Sequence, residues 1–193
     1  MIQGERVRLD IHNILCLIYN SNKNLNSKII KEKINKNNKK DISFLNNVAL
    51  TTMRFNLHTL KIINKYTKNK LRLHERILLQ SAITQIVFLN FKEYAVINCS
   101  VEIAKKLKIY PGFINATLKR ISNDKEKLSK IKIDYNELPD WFKSETQILQ
   151  DYEKDFFLRN LVKEPDVHIV FKDKENFDKF EGAIIRTTDF SGF

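Results

Sequence analysis

Residues Ala95–Arg120 read AVINCSVEIAKKLKIYPGFINATLKR, and their reading decides the fold. Ile97, Val101, Ala104 and Leu107 recur at helical spacing and fall on one side of a first helix. Ile114, Thr117, Leu118 and Ile121 do the same on a second. Between them, Lys108-Ile109-Tyr110-Pro111-Gly112 supplies the break. The pattern predicts a pair of amphipathic helices, each with one face that needs a partner.

The stretches before this pair supply the partners. Residues 72–90 are apolar almost all round (Leu73, Ile77, Leu78, Ile83, Ile86, Val87), as expected of a helix at the centre of a bundle. A first helix is predicted over residues 6–20, with Val7, Ile11, Ile14, Leu15 and Ile18 on its stripe. A short one follows near 27–35, capped by Asn26 or Ser27. A long helix opening at Asp41 or Ser43 carries Phe44, Leu45, Val48, Ala49, Thr52 and Phe55, and another runs from Leu57 to about Tyr66.

From about Lys125 the character changes. Residues 125–140 are polar and punctuated by Pro139. Helices are predicted over 141–149 and 151–161, then strands over 167–171 and 183–187. Two strands do not close a core alone. The expected fold class is therefore mainly α: a helical bundle over about residues 1–130, then a linker and the incomplete start of an α+β domain over 131–193.

Charge follows the same division. Residues 1–130 hold 25 Lys and Arg against 9 Asp and Glu, a net +16, whereas residues 131–193 hold 9 against 14, a net −5. Clustered Lys and Arg suit a polyanion, because neutralising phosphates releases counterions. Part of the Lys excess, like that of Asn and Ile, reads as codon bias of an AT-rich genome. No apolar run is long and unbroken enough to span a bilayer, and the N-terminus, MIQGERVRLD, lacks the order of a secretory signal. Cys16 and Cys99 sit inside apolar helical patterns and read as buried, reduced thiols of a cytoplasmic protein.

The particular residues carry a resemblance. Ala95-Val96-Ile97-Asn98, Val101–Lys106, Gly112–Ala116 and Leu118-Lys119-Arg120 resemble the pattern PxxAVNExVELAKK…GFVNAVLRR that closes NusB-like RNA-binding domains. Four further stretches resemble the ribosomal small-subunit RNA (cytosine-5)-methyltransferase B family (RsmB/Sun/Fmu), which begins with such a domain. They are Val48–Leu57 with Arg54, Asn64–Leu78 with Arg72 and Arg76, Leu138-Pro139-Asp140-Trp141-Phe142, and Glu164–Phe171. The resemblance implies binding of 16S ribosomal RNA on behalf of a catalytic domain that uses S-adenosylmethionine. That domain's marks are a Gly-rich loop, a Pro-Cys loop and a Thr-Cys-Ser segment. None is in this sequence, which has four Gly and no GxG triplet. No catalytic residue and no cofactor is expected in the chain itself, which reads as the N-terminal part of such an enzyme.

The expected RNA-binding residues are Arg6, Arg8, Arg54, Arg72, Arg76, Lys105, Lys106, Lys119 and Arg120. For Arg54 a structural ion pair with Glu75 or Glu102 is the alternative. His12, His58, His74 and His168 are read as lying on different elements without a partner at ligand spacing, so no metal is expected. Trp141 is expected to anchor the packing of the second unit. Two other functions remain open. One is a NusB-type transcription antitermination factor with a ribosomal-protein partner, and the other is a bundle that binds only protein.

Overall fold

A computed structural model describes residues 4–21, 27–35 and 38–163. Seven helices follow from the apolar stripes: α1 (Glu5–Ser21), α2 (Lys28–Ile34), α3 (Lys39–Arg54), α4 (Asn56–Tyr66), α5 (Leu73–Ile83), α6 (Glu93–Lys106) and α7 (Pro111–Asn123). Three short ones come after: α8 (Lys125–Leu128), α9 (Asp140–Glu145) and α10 (Asp151–Asn160). No strand occurs among the described residues, so the fold is mainly α. The strands expected at 167–171 and 183–187 lie outside the described residues. No described helix is long and apolar enough to cross a membrane.

α5 takes the central place, packing on α1, α3, α4, α6 and α7. Its apolar stretch is not one regular helix. At Thr84–Phe88 the turn widens, and the Leu89 N–H reaches back five residues to the Thr84 carbonyl at 2.9 Å. The widened turn sets the Phe88 ring 4.1 Å from that of Phe55, stacked, at the α3–α4 joint.

Two cores result. One lies among α4–α8 and is built from Ile62, Leu79, Ile83, Ile86, Val96, Ile103, Ile114, Leu118 and Ile121 with their neighbours. The other lies among α1–α3 with Ile77 of α5, and holds Ile11, Ile14, Leu15, Cys16, Ile30, Leu45 and Val48. A polar bridge links them. Gln80 of α5 donates to Asn56 Oδ1 at 2.8 Å and to Thr59 Oγ1 at 3.0 Å, and the Tyr19 hydroxyl of α1 donates to the same Asn56 oxygen at 2.9 Å.

Three local expectations need correction. The α3 cap is Asn38, whose side chain accepts from the Asp41 N–H at 2.9 Å, not Asp41 or Ser43. The α6–α7 break, expected over Lys108–Gly112, turns at the first residue of that stretch and not at Pro111-Gly112. Lys108 makes it, with φ +56°. The Ile109 N–H bonds to the Ala104 carbonyl at 2.9 Å, and that of Lys108 to Lys105 at 3.2 Å. This is the Schellman closure, with lysine where glycine is usual. Pro111 then starts α7, where its missing N–H costs nothing. Finally, Trp141 is no packing anchor: it is 69% exposed and meets the Phe142 ring edge-on at 5.5 Å. The aromatic side chain of the LPDWF segment that turns inward is half-buried Phe142, 5.1 Å from the Phe157 ring of α10.

Candidate nucleic-acid interface

The nine expected cations do not form one patch. Three of them gather where α1 begins and α6 ends. Lys106 Nζ meets Glu5 Oε1 at 2.5 Å, which brings exposed Arg6 to the same end as Lys105 and Lys106. Glu5 is only 3% exposed, so Lys106 neutralises a buried carboxylate. Lys105 pairs with Glu102 at 2.6 Å, an exposed one-turn pair that holds it weakly.

Arg8 turns inward instead. Its Nε donates to Gln85 Oε1 at 2.7 Å and its Nη1 to the Gly4 carbonyl at 3.1 Å. The guanidinium lies 5.1 Å from the centre of the Phe44 ring, and Nη1 is 3.9 Å from Cys99 Sγ. Burial pulls the Arg8 pKa below its ordinary value. Arg8 ties α1 to the widened turn of α5 and to α6.

Arg54, Arg72 and Arg76 belong to the other end of α1. Arg76 sits over the Tyr19 ring at 5.9 Å, and Tyr19 bonds Asn56, two residues after Arg54. Exposed Arg72 precedes α5, where Glu75 accepts its backbone N–H at 2.8 Å. Arg54 is the last residue of α3 and half-buried. The two carboxylates considered for it act elsewhere, Glu75 at this cap and Glu102 on Lys105. α1 spans about 25 Å at 1.5 Å per residue, so these arginines stand far from Arg6.

Lys119 and Arg120 are exposed on α7, opposite buried Ile114, Leu118 and Ile121. Arg120 lies over the Tyr66 ring at 5.4 Å. Ser122 bonds Glu93 at 2.6 Å, which places this end of α7 beside the start of α6, away from Lys106.

Two features escaped the sequence reading. The first is at the α6–α7 joint. Tyr110 is 75% exposed, directly after Lys105, Lys106 and Lys108, all exposed. Its ring lies against Gly112, where a Cβ would come within 3.0 Å of it. The joint therefore carries an exposed aromatic ring within five residues of three exposed lysines, Lys105, Lys106 and Lys108. The second feature corrects the reading of the histidines. His12 and Cys16 stand four residues apart and share one face of α1, and His74 of α5 meets them there. His12 Nε2 is 3.0 Å from His74 Nδ1, and Cys16 Sγ is 3.5 Å from each. Burial, then the neighbouring His74, pulls His12 down to about 4, and burial pushes the Cys16 thiol up to about 11.

The NusB family model matches residues 7–123, more than half of the chain and all of its bundle from Val7 to the end of α7. The chain belongs to the NusB family. Membership implies RNA binding or a role like transcription antitermination. No curated protein matches the chain. Within this NusB-family domain, the α6–α7 joint carries both exposed lysines and an exposed aromatic ring.

Proposed function

We propose that the chain is the RNA-recognition module of a 16S ribosomal RNA (cytosine-5)-methyltransferase. The observation that carries the RNA reading is the joint itself: exposed Lys105, Lys106 and Lys108 followed directly in the chain by exposed Tyr110. The cations bind phosphate, and the tyrosine gives an unpaired base a ring to stack on. The methyltransferase part rests on the LPDWF segment after the matched domain. There Pro139 caps α9, and α9 to α10 continue past the end of the match at 123.

Gly4 precedes α1 and Gly112 lies in the first turn of α7, so neither builds a loop against a cofactor. Methyl transfer would belong to another domain, which this one would supply with bound RNA. The antitermination reading is favoured by one fact, that the match needs nothing beyond Asn123.

Filter binding of the chain to a small-subunit ribosomal RNA hairpin, at two salt concentrations, tests the proposal. Binding should exceed that to random RNA and weaken with salt. Tyr110→Ala should cost about 1–3 kcal/mol of binding, the range of one lost base stack. Affinity equal to that for random RNA, with no salt dependence, would sink it. A ribosomal-protein partner that binds residues 1–123 as tightly as the full chain would favour the antitermination reading.

A further inference from the structure

The cluster of His12, Cys16 and His74 lies on α1 and α5, and the contacts proposed at the α6–α7 joint do not use it. Two imidazoles and a thiol converge from two helices, with all three potential ligand atoms within 4.8 Å of one another. We propose that these three side chains bind one zinc ion, which ties α1 to α5.

The spacing carries the argument. Zinc holds imidazole nitrogen at about 2.0–2.1 Å and thiolate sulfur at about 2.3 Å in a tetrahedron. Those bond lengths set ligand atoms roughly 3.3–3.6 Å apart. The pairs here are 3.0, 3.5 and 3.5 Å. The three atoms thus already stand near the edges of a zinc tetrahedron, before any side chain moves. The i, i+4 separation of His12 and Cys16 is the one that sets two ligands of a helical zinc site on one face. The ring planes of His12 and His74 are tilted by 32° with centroids 5.3 Å apart. His12 is fully buried and Cys16 nearly so, whereas His74 is exposed. Metal can therefore enter from the His74 side, and the fourth position there is left to water.

The competing arrangement is an ordinary hydrogen-bonded cluster. A single proton between His12 Nε2 and His74 Nδ1 would satisfy the 3.0 Å contact, with the Cys16 thiol beside it. Zinc would displace the thiol proton of Cys16, and the proton between the rings would move to the other nitrogen of the imidazole that carries it, since only a thiolate and neutral imidazoles ligate. Only the thiol proton passes to solvent. Two imidazoles and one thiolate on Zn²⁺ leave a net charge of +1, modest for a half-open site. The chemistry favours zinc over magnesium or calcium, which take oxygen ligands.

The test uses the full chain, reduced and stripped of metal, with Co²⁺ as a spectroscopic stand-in and Zn²⁺ as competitor. One equivalent of Co²⁺ should give the visible bands of a tetrahedral ion and a sulfur-to-cobalt charge-transfer band, and Zn²⁺ should remove both. Zinc should also raise the melting temperature, with a shift that grows as the logarithm of its concentration over Kd. Cys16→Ser should abolish the charge-transfer band, and His74→Gln, at an exposed position, should weaken Co²⁺ binding by more than about tenfold. Cys99→Ser should leave every signal unchanged. No cobalt–sulfur band in the natural chain, or one that survives Cys16→Ser or vanishes with Cys99→Ser, overturns the proposal. Both readouts are independent of RNA, so failure of RNA recognition leaves this result standing, and the reverse holds too.

Discussion

The core among α4–α8 and the seam between α1 and α5 are built from opposite materials. In the first, Ile83, Ile86, Ile103, Ile114 and Leu118 meet one another and little else. In the second, a stripe of isoleucine and leucine on α1 is interrupted by His12 and Cys16, which face His74. The aliphatic core draws its stability from apolar surface removed from water. A buried imidazole must find a polar partner or be a cost, and the thiol beside it packs as a small apolar group with a weak donor. The seam is thus where protons and metal ions can act on the fold, and the aliphatic core is where they cannot.

The largest effect expected is in the aliphatic core. Leu118 is fully buried on α7 at the centre of that core. Leu118→Ala should cost about 2–5 kcal/mol, the range for truncating a buried leucine and leaving a cavity. Urea unfolding should show it as a lower midpoint with an unchanged slope. A cost below about 1 kcal/mol would mean that the core collapses around the gap, and that the contrast between the two regions is overdrawn.

The seam should answer to pH. His12 titrates near 4 in the folded chain, pulled down first by burial and then by His74, against 6.5 ordinarily. The unfolded chain therefore binds more protons between these values, and stability falls as pH falls through that window. His58 of α4 is also held below its ordinary value, first by burial. The loss from His12 alone between pH 7 and pH 5 is about 2 kcal/mol for the metal-free chain. Carboxylates such as Glu93, lowered mainly by its bond to Lys125, lose their contribution only at lower pH. Thermal melts at pH 7, 6 and 5 on the natural chain and on His12→Gln separate the terms. An equal pH slope in the two proteins would remove His12 from the account.

Between the two regions stands the Gln80 bridge, buried in α5. Gln80→Leu would keep the volume and remove the donor shared by Asn56 Oδ1 and Thr59 Oγ1. The expected cost is about 1–2 kcal/mol, that of a buried acceptor left short of a partner. Combining it with Tyr19→Phe, which removes the other donor to Asn56, should cost more than the sum of the two, because only the double change leaves the Asn56 oxygen without a donor. Strict additivity would show that the bridge does not couple the regions.

How much of this the sequence showed follows from the same contrast. Apolar periodicity found the seven bundle helices, because Ile11, Leu15, Val48, Ile86 and Leu118 all record the same demand for burial. It missed the widened turn at Thr84–Phe88, since a one-residue change of pitch leaves an all-round apolar helix equally apolar. It placed the joint in Lys108–Gly112 but did not single out Lys108, which adopts the left-handed turn against its type. Candidate cations were chosen by type, yet orientation is tertiary. Arg6 and Arg8 are two residues apart, but one faces solvent and the other Gln85. The His-Cys-His cluster was half legible. His12 and Cys16 announce one face of α1 by their spacing alone, while His74 arrives from α5, which no local pattern links to them.

The smallest effect should come from the joint that closes α6 onto α7. Lys108 holds φ +56°, a conformation that crowds any Cβ and that glycine adopts freely. Lys108→Gly keeps the backbone bonds of Ile109 to Ala104 and of Lys108 to Lys105. It relieves the crowding at some cost in chain entropy, so the net gain should be about 0.5–1 kcal/mol. That gain would appear in the urea midpoint at every pH, because no titrating group is touched, and the pH slope set by His12 should stay as it was. The same change removes one cation beside Tyr110. RNA binding should therefore weaken, with the salt slope reduced by about 1. Stability rising while RNA affinity falls would place the strain at a working surface, where a lysine is worth more than a relaxed turn. Both rising together would place the RNA elsewhere on the bundle, with exposed Lys119 and Arg120 of α7 the next surface to neutralise.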